Sequence, residues 1–99
     1  MTREEVVNAY EAGRRDFSDV DLAQVDLSGA NLRGANFTDA NLCGANLSRA
    51  VLRGARFERA NLFDADLRRA NCGGAKFGSA NLSDANFSGA IFCSVDDCS

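Results

Sequence analysis

Histidine, proline and tryptophan are absent from this 99-residue chain, and methionine and tyrosine occur once each. Without histidine, the commonest general acid–base side chain is missing, and any metal site would rest on cysteine or carboxylate alone. Without proline there is no proline-rich linker to separate domains, and the length allows one domain at most. No apolar run approaches the length needed to span a bilayer. The opening residues, MTREEVVNAYEAG, are charged and lack the apolar centre of a signal peptide. The expectation is a cytoplasmic protein with no membrane association. Its four cysteines, Cys43, Cys72, Cys93 and Cys98, would then be free thiols. Their separations do not match the paired spacings of zinc sites, so no metal and no cofactor are expected.

Formal net charge is −3, which favours solubility and says little about partners. The sign is unevenly spread. Residues 1–32 carry three basic and seven acidic groups, residues 33–69 seven basic and four acidic, and residues 70–99 one basic and three acidic.

What the chain has in abundance is a five-residue repeat. Read from Arg15, sixteen units run without a gap to Ser94, beginning RDFSD, VDLAQ, VDLSG, ANLRG, ANFTD. The third position is Leu or Phe in fifteen units, with Cys72 the exception. The first is Ala in thirteen consecutive units, Ala30 to Ala90, and the second is Asp or Asn in twelve. A period of five fits neither the 3.6 of a helix nor the 2 of a long strand. Apolar-polar-apolar followed by two small or polar residues reads as a short side and a corner. Sides joined by corners of one sense wind into coils, and coils must stack to bury their apolar faces. Phe17, Phe37, Phe57 and Phe77 are twenty residues apart, as are Gly34, Gly54 and Gly74. Twenty residues per coil gives four sides, and sixteen units give four coils, a rod of about 19 Å at the β spacing.

These units resemble the A(D/N)LXX consensus of the pentapeptide-repeat proteins over residues 15–94. The resemblance implies an all-β, right-handed quadrilateral β-helix with Leu or Phe centres and the preceding Ala inward. It also brings the associations of that family, which is abundant in cyanobacteria and has members that shield DNA gyrase by mimicking duplex DNA. Departures from the consensus are Val51, Arg56, Lys76 and Ile91 at the second position and Cys72 at a centre.

The N-terminal segment, residues 1–14, reads as a separate capping helix. Thr2-Arg3-Glu4-Glu5 has the form of a capping box, Val6, Ala9 and Tyr10 share a face, and Gly13 suits the position after the helix. Residues 95–99 form a short tail.

No catalytic constellation emerges, and the expected role is a non-enzymatic protein-interaction or scaffolding module with an unidentified protein partner. The alternative is a DNA mimic acting on a topoisomerase such as gyrase, but the rod would span under about six base pairs and its middle is basic. Candidate interaction residues are Phe63, Val51 and Ile91, expected to point outward, with Phe87 and Phe92 in the last core layer. That layer suggests a homodimer formed end to end. A candidate basic strip comprises Arg49, Arg68 and Arg69 on one side of the coil and Arg33 and Arg53 on the next. It lacks the exposed aromatics that stack bases, and nucleic acid is not the expected ligand.

Overall fold

The computed structural model describes residues 1–92. Cys93 and Cys98, and the tail at 95–99, lie outside the described residues.

Helix α1, Arg3–Glu11, begins at the capping box. The hydroxyl of Thr2 accepts the Glu5 N–H at 3.2 Å, and the Glu5 carboxylate accepts the Thr2 N–H at 2.9 Å. The latter bond, first among its causes, holds the Glu5 carboxyl below the usual range. Ala12 closes the helix and Gly13 follows at φ +105°, a left-handed conformation in which glycine carries no Cβ penalty. Val6 is fully buried, while Met1, Ala9 and Tyr10 pack partly buried against the first coil.

From Asp16 onward the chain winds as a four-sided solenoid. Twelve parallel bridges, from Asp16↔Asn36 to Asn71↔Ile91, each join residues twenty apart. Each side is so short that pairing is a succession of single bridges. Three backbone bonds repeat at each rung: Phe17 N–H to Asn36 O (2.7 Å), Asp19 N–H to Thr38 O (3.0 Å) and Asn36 N–H to Arg15 O (2.7 Å) illustrate the set. Four faces result. The first holds the units starting at 15, 35, 55 and 75, and the second those at 20, 40, 60 and 80. The third holds those at 25, 45, 65 and 85, and the fourth those at 30, 50, 70 and 90.

Corners are tight turns. The first-position N–H of the next unit donates to the carbonyl of the centre, as in Ala30 to Leu27 at 3.1 Å. The residue before that donor has positive φ, whether glycine (Gly54, +69°) or not (Arg59, +59°; Asp64, +59°). This is the demand of a turn with a left-handed third residue.

The consensus Asp or Asn has a physical role at these corners. At all twelve positions where it occurs, its side-chain Oδ1 accepts the N–H two residues on, as in Ser48 N–H to Asn46 at 3.0 Å. These Asx turns pre-shape the corner and satisfy a donor the ladder leaves over. Asn46→Ala is therefore expected to cost about 1 kcal/mol in urea unfolding. Arg56→Ala, at the same position on another face, should stay within about 0.5 kcal/mol, since its exposed ion pair with Glu58 at 3.0 Å contributes little.

Centres and first positions face inward. Phe17, Phe37 and Phe57 are fully buried, as are Leu22 through Leu67 at the other centres of the first three coils. The Phe column is stacked, with centroids 5.6, 5.3 and 5.1 Å apart from Phe17 to Phe77. First-position Ala is buried from Ala30 to Ala70, because the corner leaves room for a methyl group and little more, and half-buried in the last coil.

The N-terminal end of the rod would expose carbonyls that have no coil below them to donate to them. The cap supplies donors. Arg14 Nε bonds Asp16 O (2.6 Å), Arg3 bonds Asp26 O and Ser28 O (2.9 and 3.0 Å), and the Tyr10 hydroxyl bonds Arg33 O (2.7 Å). The helix thus covers the apolar layer and also quenches the strand edge.

Candidate functional site

Because the interior is filled, chemistry must be sought on the faces and ends. Two surfaces stand out among the described residues.

The first is a depression of about 720 Å³ on the third face, lined by Ser28, Ser48, Arg49, Arg68, Arg69, Ser88 and Gly89. Register explains it. The fourth positions of this face are Ser28, Ser48, Arg68 and Ser88, and the fifth are Gly29, Arg49, Arg69 and Gly89. Small residues at both ends of the column leave a hollow around the central arginines. Arg68 is committed to Asp66, with Nε and Nη2 contacts at 2.9 and 2.8 Å. Those bonds, first among the causes, hold the Asp66 carboxyl below its usual range. Arg49 and Arg69 occupy adjacent rungs and form no ion pair among the described residues. Like charges opposite each other in a ladder repel. Arg33 and Arg53 stand on the fourth face, so the five-residue strip divides into two groups, and the first lines this hollow while the second does not. Sequence reading found these arginines but missed the serines and Gly89 that shape the hollow; their twenty-residue spacing was the available signal.

The second surface is the C-terminal layer. Leu82, Ile91 and Phe92 are 37, 45 and 52% exposed, and Phe77 and Phe87 are half-buried. Phe77, Phe87 and Phe92 form one aromatic cluster with centroids 5.4–6.3 Å apart. The backbone N–H groups of Phe77, Leu82 and Phe87 find no backbone acceptor among the described residues. Phe63 does not join this layer. It is exposed on the second face, below Ser83 and above Cys43, and stands alone. Val51 bridges Asn31 and Asn71 on the fourth face and is half-buried, less exposed than its replacement of a polar residue suggested. Of the five apolar candidates, Phe87 and Phe92 share the aromatic cluster, Ile91 precedes Phe92 at an exposed second position, and Phe63 and Val51 stand apart. Leu82, treated in the sequence only as a core centre, belongs with the cluster.

Charge elsewhere is mixed. The first face carries the Arg59–Asp39 pair at 2.9 Å and the Arg56–Glu58 pair. The second face bears Asp21, Asp64 and Asp84 but no charge on its second coil, where Asn41, Cys43 and Gly44 stand. No group of carboxylate and thiol ligands suited to a metal ion occurs among the described residues. No helix is long and apolar enough to cross a membrane.

The family signature described as "Pentapeptide repeats" matches in eight copies, over residues 16–54, 30–69 and 60–96. The chain belongs to the pentapeptide-repeat family. Solved structures agree. A pentapeptide repeat protein, Rfr23, from the cyanobacterium Cyanothece 51142 superposes with a TM-score of 0.77 at 34% identity, covering 78% of this chain and 52% of its own. One from the thylakoid lumen of Arabidopsis thaliana gives 0.63 at 43% identity, covering 78% and 50%. A third, from Nostoc, gives 0.52 at 36%, covering 87% and 75%. The chain spans about half the length of the first two. The fold of this pentapeptide-repeat protein is the right-handed quadrilateral β-helix that the repeat implied. No protein of curated function matches it.

Proposed function

We propose that this pentapeptide-repeat protein is a non-enzymatic, cytoplasmic protein-interaction module whose contact surface is the C-terminal end of the solenoid. The observation that carries the reading is the last layer: exposed Leu82, Ile91 and Phe92 around an aromatic cluster, beside a row of N–H groups with no acceptor among the described residues. A contiguous apolar patch beside N–H groups that lack an acceptor among the described residues favours association. The partner is a second copy of this chain. Two copies meeting at this end bury the same residues on both sides through one two-fold axis. The filled interior and the charge-mixed faces suit binding better than catalysis.

Light scattering after gel filtration tests this directly. A dimer mass is expected at roughly tens of micromolar chain, with Phe92→Asp giving a folded monomer. Phe63→Asp, on the isolated second-face position, should leave the dimer intact. A monomer at that concentration, or dimers unaffected by Phe92→Asp, removes the end-to-end reading.

A further inference from the structure

We infer that the depression on the third face is a binding site for a small, phosphate-bearing molecule, held chiefly by Arg49 and Arg69. Three features of the site point to that chemistry.

Its charge is positive, and two of its three guanidiniums are uncompensated among the described residues. Asp66 neutralises Arg68, whereas Arg49 and Arg69 have no carboxylate partner among the described residues. They sit one rung apart, about 5 Å, so each carries the other's repulsion. A group of high negative charge density between them relieves it. Two planar guanidinium forks on one wall are matched to the several oxygens of a phosphoryl group, which each can engage in a bidentate manner.

Its lining consists of serine, arginine and glycine. Ser28 and Ser48 direct their hydroxyls to Asp26 and Asn46 (both 2.7 Å). Ser88 donates its backbone N–H to Asn86 at 3.0 Å, and its hydroxyl has no partner among the described residues. No aromatic or aliphatic side chain lines the hollow. A base has nothing to stack on, and a peptide has no apolar anchor.

Its shape depends on a position without a side chain. A Cβ on Gly89 would lie 3.2 Å from Arg69 Cγ, so the Arg69 stem runs close along the Gly89 backbone. The stem leans toward the Gly89 backbone, where a side chain would crowd it. The basic pair on the fourth face, Arg33 and Arg53, has the same rung separation and is not part of the lining of this hollow. It serves as an internal control.

Calorimetric titration of the intact chain with pyrophosphate, at low ionic strength where exposed charges are least screened, tests the site. Saturable one-to-one binding is expected. The double variant Arg49→Gln/Arg69→Gln should weaken it by about tenfold or more, while Arg33→Gln/Arg53→Gln, with the same change in net charge, should stay within about twofold. Arg69→Lys, which keeps the charge and loses the fork, should weaken binding several-fold. Far-UV circular dichroism and Tm matching the parent chain confirm that each variant is folded. Equal losses in the two double variants would reduce the effect to net charge and overturn the proposal. So would non-saturable binding, full affinity in Arg69→Lys, or displacement of pyrophosphate by a much tighter single-stranded oligonucleotide.

Discussion

Phe57→Ala is expected to lower the unfolding free energy by about 3–5 kcal/mol, the range for truncating a buried aromatic. Phe57 is fully buried, with Phe37 stacked on one side at 5.3 Å and Phe77 on the other at 5.1 Å. Removing the ring takes away its own burial and also one stacking partner from each neighbour. The void cannot close easily. The coils above and below are held at a fixed spacing by the backbone bonds of Phe37 to Arg56 (2.7 Å) and Phe57 to Lys76 (2.7 Å). In a solenoid each coil depends on its neighbours, so the damage should propagate as loss of cooperativity and a smaller denaturant slope. Urea unfolding of the intact chain followed by far-UV circular dichroism measures both. Phe77→Ala, at the half-buried end of the same column, should cost distinctly less. A loss below about 1 kcal/mol for Phe57→Ala would mean that the column contributes no more than a surface site.

Cys72 should be almost inert to alkylation in the folded protein and ordinary once unfolded. It is 1% exposed, and burial pushes its thiol up to about 11. The attacking species is the thiolate. Two units of suppression leave about a hundredfold less of it at mildly alkaline pH, before steric exclusion is added. Cys43, half-buried on the second face, should label far sooner. Peptide mapping after a short pulse of iodoacetamide, with and without urea, separates the two. Rapid native labelling of Cys72 would contradict its inward placement. The same burial has a consequence for stability. A thiol whose pKa is raised in the folded state favours folding while it stays protonated. That contribution is present at neutral pH and is lost as pH rises from the unfolded thiol's range through about 11. Cys72→Ala should remove this alkaline slope.

The scaffold was legible in the sequence because every rung repeats the same physical problem. Leu, Phe or Cys at a centre, a methyl at the corner and an Asx oxygen beside it recur every five residues, and the Phe spacing alone gives twenty per coil. The surface was less legible, because outward residues answer to no packing constraint. Val51 reads as an exposed apolar residue, yet its neighbours Asn31 and Asn71 on the same face half-cover it. Arg33 holds the fourth position of its unit and Arg49 the fifth. That Ser28, Ser48, Ser88 and Gly89 of neighbouring coils border a hollow with Arg49 and Arg69 shows only once the coils are stacked. Likewise the cap was readable as a helix from Thr2 and Glu5. The carbonyl partners of Arg3, Tyr10 and Arg14 depend on where the helix lies across the coil, which no local pattern encodes.

The uniform offset of twenty residues between bridged partners bears on how the chain is made. Each rung of the solenoid needs only residues synthesised about one coil earlier, never a distant segment. The cap that seals the first edge leaves the ribosome ahead of the solenoid, so a finished floor is in place before the second coil emerges. Winding can then follow translation coil by coil, from a sealed start toward a growing edge, in the order that nearest-neighbour repeat folding favours.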